Sequence, residues 1–90
     1  MRKVPEPRIS SEQVRAARAL LRWEQKDLAK ASGVSLPTVI RLERDPGPLK
    51  GYARTVALIR GAFEAEGLVF LMPGDGGGEG VRFNCVNRFA

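Results

Sequence analysis

The stretch Gln25-Lys26-Asp27-Leu28-Ala29-Lys30-Ala31-Ser32-Gly33-Val34-Ser35-Leu36-Pro37-Thr38-Val39-Ile40-Arg41-Leu42-Glu43-Arg44 leaves few folds open to this chain. Its first half has helical spacing, with Leu28 and Ala31 on one side and Lys26 and Lys30 on another. Gly33 supplies the positive φ that a sharp turn straight after a helix requires. Val34 plugs the corner. Ser35 is placed to cap a second helix, because its hydroxyl can accept from the Thr38 amide. Pro37 falls in the first turn of that helix, where a missing N–H costs little. Val39 and Leu42 point inward, and Ala29 is small where the second helix must come close. Asp45-Pro46-Gly47-Pro48 then stops the helix.

Two short helices joined by a tight turn, with basic residues on the second, are the layout of a helix-turn-helix DNA reader. The net charge of +5 on 90 residues leans the same way, toward an acidic partner. Arg41, outward on the second helix, has the chemistry to donate two hydrogen bonds to guanine O6 and N7. Leu36 and Pro37, apolar at the exposed start of that helix, suit thymine methyl groups. Lys26, Lys30, Arg44, Lys50 and Arg54 together supply the positive field that phosphate binding needs. The plain alternative for each is a solvated surface side chain.

The rest of the chain frames this segment. Residues 1–9 carry Arg2, Lys3 and Arg8 with two prolines and no periodicity, and read as a flexible basic arm. Ser10 with Gln13 is a capping-box pattern that starts a helix ending near Arg22. Val14, Ala17 and Leu21 form its inner face, and Arg15 and Arg22 its outer one. Trp23 is expected in the core between the first two helices. A fourth helix runs from about Tyr52 to Glu66, with Val56, Ile59 and Phe63 as its apolar stripe and Gly67 closing it. Leu68-Val69-Phe70-Leu71 and Val81-Arg82-Phe83 favour strands and pair as a hairpin across the Gly-rich loop 73–80.

The predicted fold is therefore mostly α, four helices with a C-terminal β-hairpin. Residues 1–9 form the arm, 10–66 the helical domain, 67–84 the hairpin as a candidate dimerisation element, and 85–90 a tail. The chain has no histidine and a single cysteine, Cys85. That removes the commonest general base, any internal disulfide and any Cys-based metal cluster. No enzyme activity, cofactor or metal is expected. The Gly-rich loop lacks the Lys-Ser/Thr ending of a phosphate-binding P-loop, and no helix follows it. No apolar run nears the roughly 18–20 residues needed to span a bilayer, and residues 1–7, charged with no apolar region behind them, are not expected to act as a secretory signal. A cytoplasmic, nucleoid-associated protein is expected.

Several segments together resemble the Cro-type, lambda-repressor-like helix-turn-helix regulators, also called the xenobiotic-response-element family. They are Arg18-Ala19-Leu20-Leu21-x-Trp23-x-Gln25, Leu28-Ala29-x-x-x-Gly33-Val34-Ser35 and Thr38-Val39-x-x-Leu42-Glu43. The resemblance covers roughly residues 11–66, and the hairpin looks like that of small bacterial members. It implies base contacts from Leu36, Pro37, Thr38 and Arg41. It implies phosphate contacts from Gln25, Ser35, Arg44 and Lys50, to which the charge of Lys26 adds a fifth candidate. Arg18 and Glu43 resemble the family's structural ion pair. The chain departs from the pattern at Arg22, often Gly, and at Glu24, usually a capping Ser or Thr.

The leading expectation is a sequence-specific regulator of double-stranded DNA, of repressor type. It would act as a homodimer on a palindromic operator, with residues 35–44 as the recognition helix in the major groove. The dimer contact would come from the fourth helix, the hairpin or both; a lid over the monomer core is the other role open to the hairpin. The alternative is an antitoxin- or antiactivator-type module that uses the same fold to bind a partner protein.

Overall fold

The computed structural model describes residues 8–74 and 76–85. In chain order it contains α1 (Ser11–Leu21), α2 (Gln25–Ser32), α3 (Leu36–Arg44), α4 (Ala53–Glu64), β1 (Leu68–Leu71) and β2 (Gly80–Phe83). The expected class, four helices and a C-terminal hairpin, is the observed one.

Local chemistry accounts for the helix ends. The Ser10 hydroxyl accepts from the Gln13 amide at 3.0 Å, and the Gln13 side chain accepts from the Ser10 amide at 2.9 Å. This reciprocal cap satisfies two N–H groups that α1 would otherwise leave open. Arg22 ends α1 at φ +59, a left-handed conformation unfavourable for a residue with a Cβ. Gly33 ends α2 at φ +78, where glycine carries no such penalty. α4 stops at Glu64, two residues before the expected Glu66. Its exit tightens there, the Glu66 amide donating to Phe63 O and the Gly67 amide to Glu64 O.

Val14 and Ala17 of α1, Leu28 of α2, Val39 and Leu42 of α3, and Ile59 and Phe63 of α4 meet in one core. Phe63 is fully buried, a contribution of about 1.5–3 kcal/mol. Trp23 does more than pack between α1 and α2. It stacks on Phe63 of α4, ring centroids 5.7 Å apart. Ala31 faces solvent, contrary to expectation, and Ser32 takes the inward position beside Leu28. The turn favours this arrangement, because the Ser32 hydroxyl accepts from the Val34 amide at 3.2 Å.

β1 and β2 pair antiparallel, Leu68 opposite Phe83 and Leu71 opposite Gly80. Leu68 and Phe70 are buried, with Phe70 edge-on to Phe63 at 5.9 Å. The hairpin thus covers the helical core. It is fastened by buried Gln13, whose amide donates to Leu71 O at 3.0 Å and to Gly80 O at 2.9 Å. Ser10 adds a bond to Glu79 at 2.7 Å.

The inner end of the expected arm belongs to the domain. Ile9 is fully buried, and its carbonyl accepts from the Leu49 amide at 3.0 Å. Arg8 donates to Leu49 O at 3.1 Å and to Gly51 O at 2.7 Å. An apolar side chain and a guanidinium with two carbonyl partners hold this stretch in place. The remainder of the arm, with Arg2 and Lys3, and positions 86–90 of the tail lie outside the described residues.

Candidate nucleic-acid interface

α3 is fixed from its inner side. Val39 and Leu42 are buried in the core, and Glu43 is turned inward, its side chain 4% exposed. Arg18 of α1 grips the Glu43 carboxylate with two prongs, Nη2 to Oε1 at 2.7 Å and Nε to Oε2 at 2.8 Å. Gln25 at the start of α2 adds a third donor at 3.3 Å. The other Arg18 nitrogen, Nη1, donates to Trp23 O at 3.1 Å. One carboxylate thereby joins α1, α2 and α3. Two-pronged guanidinium–carboxylate contacts fix orientation as well as distance.

Both ends of α3 are also tied. The Thr38 amide donates to the Ser35 hydroxyl at 3.3 Å, and that hydroxyl donates to Thr38 Oγ1 at 2.9 Å. At the other end, Arg15 donates to the Glu43 carbonyl at 2.7 Å. That carbonyl lies in the last turn, where a cation also suits the helix dipole. Arg15, which the sequence placed simply on the outer side of α1, thus helps to terminate α3.

The outer side of α3 is different. Leu36, Pro37, Ile40, Arg41 and Arg44 are all exposed and share one face. That face carries no carboxylate. Among the described residues, Arg41, Arg44 and Lys50 form no ion pair. Thr38 is half-buried and bonded to Ser35, beside the face rather than on it. Ile40 was not singled out from sequence. Its signal was present, one helical turn after Leu36.

The loop after α3 is anchored by the chain before α1. The Ser11 amide donates to Gly47 O at 2.9 Å. The Gly47 amide donates to the Glu12 carboxylate at 3.1 Å. Together with the Arg8 and Ile9 bonds, these hold Lys50 outward, between Leu49, which is buried, and Gly51, which is exposed. The Glu12 carboxyl is held below its usual 4.5 by hydrogen bonds from its own N–H and from Gly47. A Cβ at Gly51, where φ is +129, would stand 3.4 Å from Leu42 Cδ2.

The start of α2 is acidic. Asp27 accepts from the Glu24 amide at 2.8 Å. The exposed Glu24 carboxylate lies 3.6 Å from Lys26 Nζ. Such a surface pair contributes about 0–1 kcal/mol. Gln25 is turned toward Glu43. Of the residues assigned to phosphate, Arg44 and Lys50 lie at or beyond the end of α3 and form no ion pair among the described residues, whereas the Ser35 hydroxyl is engaged with Thr38, Gln25 with Glu43 and Lys26 with Glu24.

Among the described residues, no group of acidic and cysteine side chains is gathered to hold a metal ion, and no helix is long and apolar enough to cross a membrane. No curated protein matches the chain. Residues 14–51, from within α1 through the anchored loop, match the helix-turn-helix family model. With four helices, this turn and this hairpin, the chain has the fold of the lambda-repressor and Cro-like helix-turn-helix proteins, and residues 14–51 carry the match to that family.

Proposed function

We propose that this DNA-binding regulator recognises a specific double-stranded sequence by laying α3 in the major groove. The observation that carries the reading is the outer face of α3. It is exposed along its length, free of carboxylates and bordered by Arg41 and Arg44. Arg41 donates to a guanine edge, while Leu36 and Pro37 meet thymine methyl groups. Thr38 lies nearby. Ser35 at the helix N-terminus, Arg44 and Lys50 contact phosphates. Gln25 and Lys26 are secondary phosphate contacts, because each must first leave a partner within the protein.

The protein acts as a homodimer in the cytoplasm and reads a palindromic operator as a repressor. The outer side of α4 presents Ala57, Leu58 and Gly61 for the dimer contact. The hairpin already covers the core on one face and offers only its outer edges.

Selection of duplexes from a randomised pool, followed by salt titration of the enriched one, tests the reading. The affinity should fall with added salt, log K losing about 0.9 per phosphate neutralised for each unit of log salt. Arg41→Ala should cost about 1–3 kcal/mol and relax preference at one base position. A flat salt response would remove the DNA role. Equal weakening on all sequences would remove the base contact from Arg41. Sedimentation of the complex should give two protomers per duplex.

A further inference from the structure

The geometry points to Ile40 as a specificity-determining residue that, with Leu36 and Pro37, reads pyrimidine 5-methyl groups in the major groove. This inference rests on the DNA-binding reading above and extends it to a chemical feature of the target. Ile40 is 44% exposed and Leu36 38% exposed, although both are large and apolar. Neither is needed to complete the inner face of α3, which Val39 and Leu42 already fill. Ile40 lies four positions after Leu36, and Arg41 four positions after Pro37. Such pairs stack along one side of a helix, so Ile40 lies between the apolar start of the face and its arginines.

Single exposed apolar residues are ordinary on a protein surface. Three on one helical face, beside two unpaired arginines and no acid, are a more specific arrangement. The charge selects the occupant. Arg41 and Arg44 flank the strip with positive charge that complements DNA phosphates. Within the groove, the apolar group that bases present is the C5-methyl of thymine, or the same methyl on a modified cytosine. Ile40 cannot hydrogen-bond a base edge. Its discrimination therefore comes from covering that methyl and removing it from water.

The test starts from a duplex enriched out of a randomised thymine-containing pool. It is resynthesised with uracil in place of each thymine in turn, and separately with 5-methylcytosine in place of each cytosine. Binding is measured for the full chain and for Ile40→Ala, with melting curves to confirm that the variant is folded. One buried methyl is worth about fourfold in affinity. At one or more positions the unaltered protein should lose about fourfold on uracil, or gain about fourfold on 5-methylcytosine. The first result assigns thymine as the source of the methyl and the second assigns modified cytosine. Ile40→Ala should flatten that response to less than about twofold while keeping its salt dependence. Indifference of the unaltered protein to every replacement would overturn the inference and leave DNA binding standing. So would an undiminished methyl response in Ile40→Ala. Failure to enrich any duplex would take down both readings.

Discussion

Arg18→Met tests how the recognition helix is held. It removes the guanidinium and keeps most of the side-chain volume. The Glu43 carboxylate, 4% exposed, then retains Gln25 at 3.3 Å as its side-chain partner. Stranding a buried charge costs about 3–5 kcal/mol. The lower end applies here, because Arg18 is itself 19% exposed and water can enter the space it leaves. A cost of about 3 kcal/mol lowers the melting temperature of a domain this size by about 12–24 °C. The total stability of a chain of this length is about 5–13 kcal/mol, so the variant still folds in the cold.

The opposite substitution should be milder. In Glu43→Leu the stranded group is Arg18, which keeps its bond to Trp23 O and has solvent within reach. The double variant, Arg18→Met with Glu43→Leu, leaves neither charge buried. It should regain most of the loss, since replacing a whole buried pair by apolar groups is often neutral. Urea unfolding followed by far-ultraviolet circular dichroism would give all four free energies of the cycle. Strict additivity of the two single changes, or an Arg18→Met cost below about 1 kcal/mol, would refute the claim that this pair locks α3.

Arg22→Gly should stabilise the domain by about 1 kcal/mol, because Arg22 has a left-handed backbone that glycine adopts without penalty; an unchanged or lower melting temperature would show that the arginine is not strained there. The depressed Glu12 carboxyl contributes stability above the ordinary carboxylate range and loses it as pH falls through its folded value. The gap between the unaltered protein and Glu12→Gln should therefore narrow on acidification below pH 4.5, and thermal melts across that window would check it. Gln13→Leu removes the side-chain donor to the Leu71 and Gly80 carbonyls and leaves the buried Ser10 amide without its acceptor, at a cost of about 1–3 kcal/mol. Amide exchange should then rise first in β1 and β2, and uniform acceleration throughout the chain would argue against a local clamp.

The parts that were legible in sequence are those decided by near neighbours. Gly33, Ser35 and Pro37 each act on a turn or cap within three residues, so the boundary between α2 and α3 follows from residue types alone. The same holds for Ser10 with Gln13, and for the stripe of Val56, Ile59 and Phe63. What escaped is long-range. Gln13 reads as half of a capping box, yet its amide also clamps the hairpin 58 and 67 residues away. Arg8 reads as part of a basic arm, yet its carbonyl partner Leu49 is 41 residues on. No periodicity encodes such pairings, because they depend on how finished elements come together. Ile40 is another kind of omission. Helical geometry places it beside Leu36, but attention to hydrogen-bonding side chains passes over an isoleucine.

These ties divide the chain into a fastened side and an open one. Glu43 holds α3 to α1 and α2, Arg15 holds its last turn, Ser35 caps its first, and the anchored loop fixes the chain just beyond it. Every one of these contacts leaves from the inner side or the ends of the helix. None uses Leu36, Pro37, Ile40 or Arg41. A surface that reads a ligand gains from this separation, since its side chains need not break internal bonds before making external ones, while the backbone carrying them stays in place. The start of α2 lacks that advantage. Gln25 must release Glu43 and Lys26 must release Glu24 before either can serve a phosphate, and the Glu24 carboxylate stays nearby with its charge unpaired. The energetic weight of binding therefore falls on α3 and the loop after it, with α2 acting mainly as the strut that sets their angle.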